Sequence, residues 1–356
     1  MIRVRTVLSL SVLLLLGACA GIGPLTVSRD RFDYTAAISD SWKRQMLLDI
    51  VMIRYGDAPV FVDVSSVINQ YQVTGSLSLG TRITSQSATR HDLTIGTTGQ
   101  YIDRPTITYT PLLGEKFARS LASPIPPSAI VSLIQTGYRL DMVFRLLVDE
   151  VNGIRSRLGG SVSRSHAADP EFYALIEKMR KIQEAGGMGM RASKTDKQEA
   201  VWLILRGKGD PEIEALVGEV KKILGLDPVV GEFPVVYGAI PKDNKEIAFL
   251  TKSVLEVLTD VSADIEVPAA DVQEERVSPT FEERAGDEKI RPLVRILSSS
   301  GKPVDAFVSV PYRNSYFYID DRDLMSKRVF SLLMFVFALV ETGEKGAAPL
   351  VTIPTR

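Results

Sequence analysis

Three aspartates within four positions, Asp320, Asp321 and Asp323, stand directly before a dense apolar run in NSYFYIDDRDLMSKRVFSLLMFVFALVETG, residues 314–343. Clustered carboxylates can hold a hard cation or share a proton as an acid/base pair. The same residues also suit a helix start. With Asp320 as N-cap, Asp323 three residues on completes an acidic capping box, and Ile319 and Leu324 are spaced as a hydrophobic staple. The negative side chains then lie at the positive end of the helix dipole. Capping accounts for all three carboxylates, so no metal is expected there. The run Val329 to Val340 includes Ser331 and falls short of the roughly 20 apolar residues that cross a bilayer. It reads as a buried core helix.

Other chemistry is thinly represented. The chain has two histidines, His91 and His166, and neither is spaced as a metal pair. A Ser-His-Asp arrangement using one of them has no Gly-x-Ser-x-Gly elbow beside it. There is no phosphate loop and no Gly-x-Gly-x-x-Gly turn. GGMGMR, residues 186–191, follows a helical pattern and reads as a loop. In KGD, residues 208–210, Asp210 precedes Pro211 and suits a helix N-cap with proline at the first turn. The aromatic group Tyr312, Tyr316, Phe317 and Tyr318 fits a hairpin with one core face, or else a contact surface for a partner. No catalytic residue and no cofactor is indicated.

The elements around these residues alternate between helical and strand periods. Trp42, Met46, Ile50 and Ile53 predict a helix over 39–54, ended by YGDAP. Helices are expected near 114–122 and 128–151, the second bent around Gly137. GGSVSRSHAADP, residues 159–170, is small and polar and reads as a linker. Beyond it the pattern predicts a helix from Pro170, a strand AVWLIL, a helix opened by GDPEIEALV, a strand FPVVY and a helix from Asn244 to about Asp260. Residues 264–290 are charged and proline-bearing and read as an exposed loop. Strands PLVRIL, DAFVSVPY and YFYI, the long helix and a last strand PLVTIP close the chain. This is an α+β fold with mostly antiparallel sheet in two or more layers. The expected units are 36–158 and 171–356.

The segment 71–110 carries a different signal. In YQVTGSLSLG, Tyr71, Val73, Gly75, Leu77 and Leu79 alternate with Gln72, Thr74, Ser76 and Ser78, the period of a strand with two unlike faces. A strand of about ten such residues matches an outer-membrane strand. It also matches an ordinary antiparallel sheet with one wet face. Gly75, Arg82, His91 and Asp92 are expected to dilute the apolar face.

The N-terminus supplies an address. Residues 1–21, MIRVRTVLSLSVLLLLGACAG, carry Arg3 and Arg5, then an apolar stretch and small residues, the pattern of a secretory signal. The closing LGAC, Leu16 to Cys19, resembles the lipobox of bacterial lipoproteins. That resemblance implies cleavage of residues 1–18, acylation of Cys19 and a lipidated tether over 19–35, with Ala20 favouring the outer membrane. The chain has 42 basic and 43 acidic residues, and losing Arg3 and Arg5 moves the formal charge from −1 to −3. Nucleic acid, which calls for a clustered basic excess, is not an expected partner. Cys19 is the only cysteine, so packing rather than disulfides must stabilise the fold.

RFDYTAAISDSW, RPTITYTPLLGEKFA and AFVSVPYRNSYFYIDDRDLMSK resemble stretches of uncharacterised lipoproteins of Gram-negative bacteria. The resemblance implies lipidation and carries no activity. The expectation is an outer-membrane-anchored, periplasm-facing lipoprotein that binds or supports other envelope proteins and touches the membrane through its lipid, more in keeping with a non-enzyme. One alternative is a subunit of an oligomeric pore or export assembly using hairpins near 71–110. A second is a carboxylate-dependent envelope hydrolase.

Overall fold

The computed structural model describes residues 22–68, 71–84, 90–103, 106–112, 114–159, 165–195, 198–207, 209–285 and 288–340. The signal region 1–18, Cys19 and the expected last strand PLVTIP lie outside the described residues. Helix α1 (Ile22–Arg54) precedes strands β1 (Val62–Ile68), β2 (Tyr71–Thr84), β3 (Arg90–Asp103) and β4 (Thr106–Pro111). Helices α2 (Glu115–Ala122), α3 (Pro127–Gln135) and α4 (Leu140–Leu147) follow, then β5 (Val148–Val151), β6 (Ile154–Arg155) and α5 (Pro170–Glu184). Next come β7 (Met188–Thr195), β8 (Gln198–Leu205), α6 (Pro211–Ile223), β9 (Glu232–Tyr237), β10 (Ile247–Thr251), α7 (Val254–Ala263) and α8 (Ala269–Gln273). Short strands β11 (Arg284–Ala285) and β12 (Glu288–Lys289) lead to β13 (Leu297–Ser299), β14 (Ala306–Tyr312), β15 (Ser315–Asp320) and α9 (Leu324–Val340).

Contacts divide the described residues into two units, 60–117 and the others. This differs from the expected division at 159–170. The main sheet runs β6-β5-β10-β9-β8-β7, so β5, from the expected first unit, pairs with β10, from the expected second, at Val151 and Phe249. Residues 159–170 therefore connect two parts of one sheet rather than two domains.

Within the larger unit the sheet is antiparallel except for β9 beside β10. Phe144 of α4 meets Phe249 of β10 edge to face, ring centroids 5.2 Å apart, and both are fully buried. Burial of each such side chain contributes about 1.5–3 kcal/mol. A three-stranded antiparallel sheet, β13-β15-β14, is packed by α1, which buries Met46, Leu47, Ile50 and Val51. The C-terminal hairpin and the long apolar helix after it form as the pattern predicts. Phe317 of β15 is buried while Tyr316 and Tyr318 are only partly covered, and α9 buries Val329, Phe330, Leu332 and Leu333.

Several expected elements differ in detail. Helix α1 begins at Ile22, so part of the expected tether 19–35 is helical. It ends at Arg54, and Gly56 just beyond turns the chain away with a φ of 75°, which suits a residue without a Cβ. The expected helix over 128–151 is two helices broken at Gly137 (φ 98°) followed by strand β5. GGMGMR leads into strand β7 instead of a loop. The expected helix from Asn244 is β10 and then α7. Ile247, Ala248 and Phe249 are buried in succession, as in a strand covered on both faces, and Ser253 with Glu256 makes a capping box that starts the helix there. The charged segment 264–290 is not wholly exposed: it contains α8, and Glu283 is buried.

Candidate functional site

The aspartate cluster is a helix start with its charges engaged. Asp323, not Asp320, directly precedes α9. Its Oδ1 accepts the Ser326 N–H at 3.1 Å and its Oδ2 accepts the Ser326 hydroxyl at 2.7 Å, the geometry of an N-cap. Burial alone would raise the Asp323 carboxyl, but the Arg291 guanidinium and the Ser326 donors outweigh it and hold the group below the usual carboxylate range. Asp320 instead closes a turn by accepting the Arg322 N–H at 2.7 Å, and Asp321 pairs with Lys327 at 2.7 Å. The expected staple is absent, because Ile319 is buried while Leu324 is 55% exposed. An open depression of about 440 Å³ lies over Arg291, Arg295, Arg322, Asp320 and Asp323. Its three arginines pair with Asp323, Glu266 and Asp305. Among the described residues no group of His, Cys, Asp and Glu is arranged to hold a metal ion.

A second charged constellation, unforeseen from the sequence, lies inside the larger unit. Arg157 offers both Nη atoms to Asp264, each at 2.8 Å, and its Nε stands 3.4 Å from Asp260. Lys252, 1% exposed, donates to Asp260 Oδ2 and to the Arg157 carbonyl, each at 2.8 Å. The Gly159 N–H completes the cage on Asp260 at 2.6 Å. Glu283 stands 3.9 Å from Arg157. Two cations thus face three buried carboxylates. Burial pushes the Asp264 carboxyl up to about 6 although Arg157 opposes it. Burial acts the same way on Asp260, yet Lys252 and Arg157 overcome it and hold that carboxyl low. Burial would lower the Arg157 guanidinium, but the carboxylates hold it raised. The cavity beside the cluster is about 10 Å³, about room for one water. No substrate fits there, so the cluster ties α7 to the loop after β6 and to the segment before β11. Asp260 and Asp264, one helical turn apart in VLEVLTDVSAD, were its one sequence signal.

The smaller unit offers a different arrangement. Strand β1 pairs with β4, antiparallel, from Val62↔Pro111 to Ile68↔Thr106, and β2 pairs with β3 from Tyr71↔Asp103 to Thr84↔Arg90 without a register shift. At about 3.4 Å per residue, the 14 residues of each strand make a ribbon about 45 Å long. Among the described residues no third strand pairs with it. A lone two-stranded hairpin is marginal in water, and a sheet edge with no neighbouring strand is a template for pairing with another chain.

Register sorts the ribbon's residues, because directly opposed positions share a face. One face collects Tyr71, Val73, Leu77, Leu79 and Ile83 with Leu93, Ile95 and Tyr101, interrupted by Thr81, His91, Thr97 and, at its end, Asp103. Gly75↔Gly99 forms one row of it. The other collects Gln72, Thr74, Ser76, Ser78 and Gly80 with Thr94, Gly96, Thr98 and Gln100, of which Thr74, Ser76, Ser78, Thr98 and Gln100 are exposed. Arg82 opposes Asp92 on this polar face. The expectation that they dilute the apolar face is therefore corrected: only Gly75 and His91 of the four lie on it. From Val73 to Ile83 the apolar positions span about 34 Å along the strand. At the usual tilt near 40° that projects to about 26 Å, against the roughly 25 Å apolar band of a membrane barrel. Tyr71 and Tyr101 fall at one end of the band, where such barrels place aromatic girdles.

His166 pairs its backbone with Leu158 in an isolated bridge, and His91 sits in β3 opposite Ile83, so the two histidines stand in different elements. Asp210 caps α6 by accepting the Glu212 N–H at 2.9 Å. Among the described residues no helix is long and apolar enough to cross a membrane, which says nothing of β-strands. The molecule is an α+β protein bearing a long two-faced β-ribbon. No family model matches the chain, and neither a curated protein nor a solved structure matches it.

Proposed function

We propose that this chain is a subunit of an oligomeric pore of the bacterial envelope, in which each copy contributes the β2–β3 ribbon to a shared transmembrane barrel. The observation that carries this reading is the ribbon itself: 14 register pairs, one mostly apolar face, one mostly Ser/Thr/Gly/Gln face that is charged only at its Thr84–Arg90 end, and no third strand among the described residues. In a ring of copies, β2 of one protomer pairs with β3 of the next, which satisfies both edges and leaves none at closure. The apolar face then meets lipid and the polar face lines the lumen. Acylation at Cys19 would hold each copy at the outer membrane on the periplasmic side and raise its local concentration there.

An envelope component that only binds or scaffolds neighbours is the coarser form of this proposal. A hydrolase built on Asp320, Asp321 and Asp323 has less support, since those carboxylates are engaged in a cap, a turn and ion pairs. The test is to extract the full lipidated chain in mild detergent, image it and add it to planar lipid bilayers. Ring-shaped particles and stepwise conductance are expected. A monomer in detergent that produces no conductance sinks the pore reading.

A further inference from the structure

The polar face of the ribbon is uneven in charge. Of its seven register pairs, the five from Gln72↔Ile102 to Gly80↔Thr94 contain no charged residue. The last two, Arg82↔Asp92 and Thr84↔Arg90, contain every charge on that face. Arg82 and Asp92 oppose each other directly, and Arg90 has a neutral threonine across from it. The excess is one positive charge per copy, set at the end of the ribbon nearest the turn. The apolar face does not balance it: its only acid, Asp103, lies opposite Tyr71 at the far end.

We infer that, in the oligomer proposed above, these residues form a cationic ring at the turn end of an otherwise uncharged lumen and make the pore prefer small anions over cations. This rests on the pore reading. Each copy adds one positive charge to the same circle, so the ring's potential grows with copy number, whereas the Ser, Thr and Gln rows add hydration without sign. A ring of like charges at a constriction concentrates the counter-ion and repels the co-ion. Screening limits its reach. The Debye length is about 30 Å at 0.01 M salt and about 3 Å at 1 M, so the preference is large in dilute salt and fades in concentrated salt.

The experiment is the reversal potential of the full-chain oligomer in planar bilayers under a KCl gradient, read as the chloride-to-potassium permeability ratio. The wild type is expected to favour chloride in dilute KCl and to lose most of that preference near molar salt. Arg90→Gln, which leaves Arg82 and Asp92 to cancel, brings the ratio to about 1, and Asp92→Asn, which doubles the excess charge, raises it. A wild-type ratio at or below 1, or a ratio unchanged in Arg90→Gln, overturns the cationic ring while the pore stands. If no preparation conducts, the pore reading fails and takes this inference with it.

Discussion

The larger unit and the ribbon solve the same problem, the burial of apolar residues and backbone polar groups, in opposite ways. The larger unit closes on itself. Its sheets are packed by helices, Phe144 and Phe249 meet in the interior, and the buried carboxylates of Asp264 and Asp260 are matched within a few ångströms by Arg157 and Lys252. The ribbon pairs its two strands but meets no further strand among the described residues, and one of its faces is mostly apolar. A segment of this kind has no reason to be stable alone in water. Its sequence is consistent with completion by something outside the chain. Folding of the larger unit and assembly of the ribbon should therefore respond to different substitutions.

The strongest way to break that comparison is an arginine in the middle of the ribbon's apolar face. Leu79→Arg places a charge where lipid is proposed, at about 2–4 kcal/mol per copy for a midplane position, repeated around the ring. It should abolish the detergent-stable oligomer while leaving the melting temperature of the larger unit unchanged. Ser76→Arg, on the polar face, should keep the oligomer. Equal behaviour of the two variants in detergent gel filtration would contradict the two-faced assignment.

The larger unit should show the reverse pattern. Lys252→Met removes one cation from a buried set and leaves Asp260 with less compensation, a change of about 3–5 kcal/mol in comparable buried pairs. Thermal melts should fall by many degrees with no specific loss of ribbon pairing. A shift within a degree of wild type would mean that the cluster contributes little to the fold.

A pH series sharpens the account of the same cluster. The Asp264 carboxyl titrates at about 6 when folded and near 3.9 when unfolded, so the folded chain binds more protons between those values. Its contribution is full below about 4 and is lost as pH rises through about 6, roughly 3 kcal/mol across the window. Asp149 and Glu150, both raised by burial, act in the same direction. Asp260, held low, gives stability that is lost only as pH falls below the usual carboxylate range. The melting temperature should rise as pH is lowered from 7 to 5, and Asp264→Asn should reduce that slope. A slope as steep in the variant would move the proton elsewhere.

The smallest effect belongs to the cap of α9. Asp323→Ala should cost about 0.5–2 kcal/mol and Asp323→Ser much less, because a short side-chain oxygen suffices to accept the Ser326 N–H. Asp320→Ala, which touches only a turn, should cost less than Asp323→Ala in the same melts. The opposite order would return the N-cap to Asp320.

Local patterns determined much of this protein. The two-residue period from Tyr71 to Leu79 specified a two-faced strand, Asp210 before Pro211 specified a helix start, and the alternation from Ala306 to Asp320 specified the C-terminal hairpin, since each depends on neighbours in sequence. What the sequence could not decide were matters of partner and register. The period of β2 already puts Arg82 on the polar face, but Asp92 looked like a flaw in the apolar one until the pairing of β2 with β3 set it opposite Arg82. The cap moved from Asp320 to Asp323 because β15 keeps Asp320 and Arg291 arrives from 32 residues earlier. The Arg157 cluster draws on residues 107 positions apart, and no local period records a contact at that separation. Those choices were made by tertiary packing, where the cost of burying the Asp264 and Asp260 charges is offset by Arg157 and Lys252 beside them.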